Sequence, residues 1–145
     1  MEKHFNTAGP SKTNLHYRID PLARVDIASI RSLITQERYF ILHAPRQTGK
    51  TTCLLALRDA LNAGGEYHAL YVNIEAAQAA RGDVTTGVAT IVDAVHHAVA
   101  VVFGPDLIGA ERDVIAKSGN NAVYAILKML TERLSKPLYS VVRRS

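Results

Sequence analysis

One stretch of this chain carries most of its structural information: Ala44-Pro45-Arg46-Gln47-Thr48-Gly49-Lys50-Thr51. It fits the pattern of four free residues followed by Gly-Lys-Ser/Thr, with alanine at the leading position where glycine is usual. The spacing has a physical reason, because a strand that turns tightly into a helix directs successive backbone N–H groups into one concavity that holds phosphate oxygens. The stretch therefore predicts a nucleotide-binding loop.

Each residue type in the pattern has its own task. Gly49 allows the backbone to approach the phosphates, Lys50 reaches the β- and γ-phosphates as a point charge, and the Thr51 hydroxyl coordinates Mg²⁺. The alternative interpretation is an accidental helix start in an unrelated domain. The predicted nucleotide-binding residues are Ala44, Pro45, Arg46, Gln47, Thr48, Gly49, Lys50, Thr51 and Thr52, with Thr51 as the Mg²⁺ ligand.

The sequence around the loop predicts the elements that such a loop needs. Residues 39–43 form a compact apolar run, typical of a strand buried on both faces. Leu54, Leu57 and Leu61 recur at helical spacing, and Asn62-Ala63-Gly64-Gly65 closes the helix. A second strand is expected at residues 69–74, which completes a βαβ unit with a right-handed crossover.

The rest of the chain adds helices and one more strand. Asp26 is expected to cap a short helix, and Asp83 is interpreted as a loop or cap residue. Helical periodicity runs through residues 84–103 and 121–134, and residues 137–142 form the last candidate strand. We therefore predict an incomplete α/β fold, a three-layer sandwich of the P-loop NTPase type with a parallel sheet. It forms a single nucleotide-binding domain over residues 1–145, irregular over 1–24 and with its core over 25–145.

Composition limits the classes of protein. With 145 residues and 48% hydrophobic residues the chain can bury a core, which excludes a disordered tail. The formal net charge of +4 is mild and leaves a nucleic-acid partner unsupported. A single cysteine, Cys53, excludes an intramolecular disulfide and suits a reducing cytoplasm. Asp93, His96 and His97 interrupt the apolar stretch of residues 88–103, so we expect a soluble cytoplasmic protein without a membrane partner.

Four stretches of the sequence resemble the start of prokaryotic AAA-like ATPases, P-loop proteins related to the AAA+ and STAND classes. They are Phe-Asn-Thr-Ala-Gly-Pro at 5–10, Tyr-Arg-Ile-Asp-Pro-Leu at 17–22, the strand and loop at 39–52, and Tyr-Val-Asn-Ile-Glu-Ala-Ala-Gln at 71–78. The resemblance extends to about residue 137. It implies ATP rather than GTP, Mg²⁺ as the companion ion, and Tyr17 and Pro21 as candidates for adenine contact, although Tyr17 packing a helix onto the sheet is the alternative.

The family's acidic pair is missing where the resemblance places it. In these ATPases the strand beside the second one ends in Asp-Glu, which hold the Mg²⁺ shell and polarise the attacking water. Here Arg143 and Arg144 follow residues 137–142. Glu75, at the end of the second predicted strand, is the remaining candidate for activating water; the other interpretation is a polar strand end that caps the next segment.

These observations lead to two hypotheses. The first is an ATP- and Mg²⁺-binding module with weak or absent hydrolysis, truncated before the acidic strand end. The second is a non-catalytic interaction fragment or adaptor with a vestigial loop, which associates with a partner protein or with copies of itself. A small nucleotide kinase is disfavoured, because no Arg-rich lid or acceptor segment follows the loop.

Two smaller features are interpreted as structural. His96 and His97 are adjacent, so on a helix their side chains diverge by ~100° and cannot chelate one metal as a pair. Cys53 has Leu54 and Leu55 beside it, which favours burial as a small hydrophobic residue over reactivity.

Overall fold

The computed structural model describes residues 20–38 and 49–143. Two compact units are present, Met1–Leu57 and Arg58–Ser145, and the division falls inside a helix. The predicted strand at residues 39–43 and the first part of the loop lie outside the described residues. The single-domain organisation stays a prediction.

The first unit contains a 3₁₀ helix at Pro21–Arg24 and helix α1 at Ile27–Thr35. The Asp26 carboxylate accepts hydrogen bonds from the Ser29 backbone N–H at 3.0 Å and the Ser29 hydroxyl at 2.5 Å, which confirms the predicted cap. Ile30 and Ile34, one turn apart, are buried. The segment predicted to be irregular thus ends in a regular turn, because proline fixes φ for the first helical position.

Helix α2 spans Lys50–Ala63 and crosses the division between the units. Its first bond runs from the Cys53 N–H to the Gly49 carbonyl at 2.9 Å. The predicted apolar stripe of Leu54, Leu57 and Leu61 is buried. Past the helix end, Gly65 has a φ of 76°, a conformation that glycine adopts without strain.

The second unit contains a two-stranded parallel sheet. Strand β1 at His68–Asn73 pairs with strand β2 at Leu138–Arg143, with His68 opposite Leu138 and Asn73 opposite Arg143. Both strands lie within one residue of their predicted positions. A mixed α/β structure with a parallel sheet is therefore confirmed, and the complete P-loop sandwich stays a prediction.

Asn62 connects the end of α2 to β1. The His68 N–H bonds to the Pro137 carbonyl at 2.9 Å, so the backbone groups of the next residue, Ala69, point away from β2. The Asn62 side-chain amide takes both of them: it accepts from the Ala69 N–H and donates to the Ala69 carbonyl, each at 2.9 Å. Each such bond contributes on the order of 1 kcal/mol net.

Three helices share a core with the sheet in this unit: α3 at Val84–Phe103, α4 at Arg112–Lys117 and α5 at Ala122–Arg133. Asp83 caps α3 by accepting from the Thr86 backbone N–H at 3.1 Å. The core brings together apolar residues of β1, of the three helices and of the segment between α3 and α4: Leu70, Val72, Val95, Ala98, Val99, Ile108, Ile115, Ala122, Ile126, Met129 and Leu130. The predicted helices at 84–103 and 121–134 are confirmed, while the six-residue α4 gave no periodic signal in the sequence.

Helix α3 begins before the apolar stretch noted in the sequence and reaches 20 residues. In the described part of the chain it is the one helix long and apolar enough to cross a membrane, and 17% of its apolar window is buried. Val95, Ala98 and Val99 pack it into the core of the second unit.

Candidate functional site

Of the predicted loop residues, the structure describes Gly49, Lys50, Thr51 and Thr52. The others, Ala44, Pro45, Arg46, Gln47 and Thr48, lie outside the described residues. Gly49 has a φ of 77°, in the left-handed region that disfavours other residues. A Cβ at Gly49 would have no neighbour within 4 Å, so backbone conformation rather than crowding calls for glycine at this position of the motif.

The helix start that the motif requires lies at the expected residue. Lys50, Thr51 and Thr52 form the first turn of α2, and this turn contains no acidic residue. Gly49, immediately before this turn, has no side chain and therefore supplies no capping oxygen of its own. The start of α2 thus combines a partial positive charge from the helix dipole with the full charge of Lys50.

The carboxyl ends of β1 and β2 form a second cluster, which belongs to the second unit. Arg143 is the last residue of β2, the position where the resemblance expects an acid. Its Nη2 lies 3.1 Å from the Glu75 Oε1. Asn73 accepts from the Glu75 backbone N–H at 3.0 Å, and its side-chain amide donates to the Glu75 Oε2 at 3.4 Å.

These contacts decide what Glu75 is suited to do. One carboxylate oxygen faces the Arg143 guanidinium and the other accepts from the Asn73 amide, so both are engaged. Glu75 also begins the 3₁₀ helix Glu75–Ala80. The geometry favours the polar strand end over the water-activating base, because both carboxylate oxygens are held by contacts within the chain.

Sequence reasoning placed Glu75 and Arg143 correctly at their strand ends but missed their pairing. A signal was present: opposite charges at the carboxyl ends of two strands that the resemblance makes neighbours. Two further atoms on this side of the sheet, the Tyr71 hydroxyl and the Arg143 Nε, are buried without a hydrogen-bond partner among the described residues. Such groups are uncommon in folded proteins.

The other candidates that the structure describes have roles in helix formation or packing. Pro21 opens a 3₁₀ helix and Asp83 caps α3, while Tyr17 lies outside the described residues. Cys53 is half-buried, and this burial raises the pKa of its thiol, which agrees with the interpretation as an unreactive residue.

Within residues 20–38 and 49–143, His, Cys, Asp and Glu side chains form no cluster of three that could hold a metal ion. A Mg²⁺ site of the predicted kind does not need one, because it uses one hydroxyl, here that of Thr51, with phosphate oxygens and water.

Comparisons with known proteins add no assignment. No protein-family model, no curated protein and no solved structure matches the chain. The function therefore has to be argued from the loop motif, the start of α2 and the sheet edge.

Proposed function

We propose that this chain binds ATP with Mg²⁺ through residues 44–52 and hydrolyses it weakly or not at all. One observation carries the proposal: α2 begins at Lys50, directly after a glycine in the left-handed conformation. The Gly-Lys-Thr of the motif therefore lies at a helix start, the local context that a phosphate-binding loop needs.

The residues present fit the nucleotide and its ion. The N–H groups of the first turn and the Lys50 ammonium provide donors and positive charge for a triphosphate, and the Thr51 hydroxyl provides a hard oxygen ligand for Mg²⁺. When bound, Mg²⁺ would neutralise part of the phosphate charge. The parallel pairing of β1 with β2 agrees with the neighbouring strands expected from the AAA-like resemblance. The preference for ATP over GTP rests on that resemblance alone.

The sheet edge supports weak or absent hydrolysis. Arg143 stands at the end of β2, and a cation there does not hold a Mg²⁺ shell or polarise water. Glu75 is engaged by Arg143 and Asn73. We therefore expect phosphate release from ATP and Mg²⁺ to stay at or slightly above the level of a protein-free control, and to be the same for the wild type and for Glu75→Gln.

Thermal unfolding with and without ATP and Mg²⁺ tests the binding. At 100 times the dissociation constant, a ligand that binds only the folded state adds ~2.7 kcal/mol, which corresponds to a rise of about 5–10 °C in Tm for a chain of this size. Lys50→Ala should abolish the rise. Lys128→Ala removes an exposed lysine from α5 and should leave it unchanged.

Two outcomes would contradict the proposal. If millimolar ATP with Mg²⁺ gives no rise in the wild type, the loop is vestigial and the interaction fragment becomes the better hypothesis. If phosphate release exceeds the control by orders of magnitude and disappears in Lys50→Ala, the chain is an active ATPase and the argument from Arg143 and Glu75 is wrong.

A further inference from the structure

The second unit contains a cavity of about 150 Å³ between α3, α4 and α5. Val88 and Val92 of α3, one helical turn apart, line one wall and are half-buried. Ile115 of α4 and Ala122 and Ile126 of α5 are the most buried residues of the lining, each at most 4% exposed. The deepest part of the cavity is therefore apolar.

Small residues explain why the three helices leave this space. Ala89 of α3, Ala116 of α4 and Gly119 line the cavity and are exposed. A Cβ at Gly119 would have no neighbour within 4 Å, so the backbone there borders open space. Larger side chains would fill such a gap to the density usual between packed helices, whereas these three leave the cavity open to solvent at its rim.

Of the described residues that line the cavity, Asp93 and Arg112 are charged, and they pair with each other. The Arg112 Nη2 lies 3.3 Å from the Asp93 Oδ1, and both side chains are mostly exposed. The pair therefore lies at the rim, where water and salt screen both charges. A ligand in the cavity would meet one positive and one negative group side by side, so the rim selects neither an anion nor a cation.

We propose that this cavity binds a small, uncharged, apolar molecule of about the size of one benzene ring. A volume of ~150 Å³ is that of an apolar protein cavity that holds a single benzene ring. Val92, Ile115 and Ile126 border the cavity and lack contact atoms on that side, and an apolar ligand restores these dispersion contacts. The site belongs to the unit Arg58–Ser145 and is independent of nucleotide binding at residues 44–52.

An NMR titration of the full chain with toluene tests the proposal through ¹³C-labelled methyl groups. Toluene is a benzene ring with one methyl group, and its ring current shifts the resonances of methyl groups that it contacts. Those of Val92, Ile115 and Ile126 should shift together along one saturable curve. Those of Ile30 and Ile34, which are buried in the first unit, should not move.

Charged analogues of toluene test the selectivity. Benzoate and benzylammonium carry the same ring with a negative or a positive group. Because Asp93 and Arg112 present both signs at the rim, neither charged probe should bind more tightly than toluene. An exposed ion pair contributes little, so the affinities of the two charged probes should lie within about fivefold of each other.

Variants locate the site. Ala89→Leu places a larger apolar side chain in the cavity and should abolish saturable binding of toluene, and Ala116→Leu should do the same from α4. Ala79→Leu is the matched change on an exposed alanine outside the lining and should leave the binding unchanged. Lys50→Ala should bind toluene like the wild type, because Lys50 belongs to the other unit.

The proposal is overturned if toluene gives no saturable shift, or if the resonances of Ile30 and Ile34 shift as much as those of Ile115 and Ile126. Tighter binding of benzoate or benzylammonium than of toluene would also overturn it. So would wild-type binding of toluene by folded Ala89→Leu and Ala116→Leu. If neither variant folds, as judged by circular dichroism, the methyl shifts and the charged probes on the wild type still decide.

Discussion

Asp26 and Asp83 stand before α1 and α3 and form the same set of bonds. Each carboxylate accepts the backbone N–H of the residue three positions on, at 3.0 and 3.1 Å, together with the hydroxyl of that residue, Ser29 or Thr86. Helix α2 instead follows Gly49, which has no side chain, and its first turn contains no acid. α1 and α3 thus have a carboxylate of the chain at their starts, whereas the residue before α2 supplies none, which agrees with the proposed triphosphate at that position.

The backbone conformation of the residue before each helix also separates α2 from α1 and α3. Asp26 and Asp83 have φ values of −76° and −79°, which any residue adopts, while Gly49 has 77°. The residue before α2 therefore differs from the other two in having no side chain and in having a backbone turn of the opposite hand. Both features are typical of a phosphate-binding loop. Variants that change the residue before each helix therefore test whether the start of α2 binds phosphate.

Gly49→Asp should have the largest effect, because it gives α2 a carboxylate like those before α1 and α3. The new charge would repel a triphosphate, and we expect the rise in Tm with ATP and Mg²⁺ to disappear. Gly49→Ala imposes the same backbone strain without the charge and separates the two causes. If Gly49→Asp keeps the full rise in Tm, the start of α2 does not bind the phosphates.

Asp83→Ala should have the next largest effect, on stability rather than on nucleotide binding. The variant leaves the Thr86 N–H at the start of α3 without its acceptor, and we expect a fall of a few degrees in Tm. Asp83→Asn keeps an oxygen acceptor and should lose less. An unchanged Tm in Asp83→Ala would show that packing of α3, not its cap, fixes the helix start.

Acid should weaken the same two caps. The side-chain bond from Ser29 lowers the pKa of Asp26, and that from Thr86 lowers the pKa of Asp83. A group whose pKa is lowered in the folded state contributes stability above its unfolded value, near ~3.9, and loses it as pH falls through the folded value. Chemical unfolding between about pH 5 and pH 2 should show this loss, and it should be smaller in Asp83→Asn.

The helix caps and the two strands can be predicted from the sequence, because each depends on residues that are close together in the chain. Asp26 and Asp83 each precede a Ser or Thr by three residues, and the two strands are short apolar runs. The pairing of Glu75 with Arg143 cannot be read in this way, since it depends on which strands are neighbours. The cavity between α3, α4 and α5 requires the packing of three helices, and α4 is too short to show a period.

The smallest effect that we expect concerns the rate at which the Cys53 thiol reacts with a disulfide reagent. A thiol near a helix start would have its pKa lowered by the dipole, but burial raises the pKa of this one. Less thiolate is then present near pH 8, and we expect a disulfide reagent to label Cys53 several-fold more slowly than free cysteine. Labelling in denaturant should proceed at the rate of an ordinary thiol. Labelling of the native chain at that same rate would show that burial does not control this residue.

The amide of Asn62 has a further consequence for solubility. By bonding both backbone groups of Ala69, it takes the place of one residue of a third strand on the side of β1 that faces away from β2. A strand from another molecule adding at this position would have to break both bonds, which discourages intermolecular sheet growth. Asn62→Leu should therefore make the protein prone to aggregation even under conditions where it remains folded.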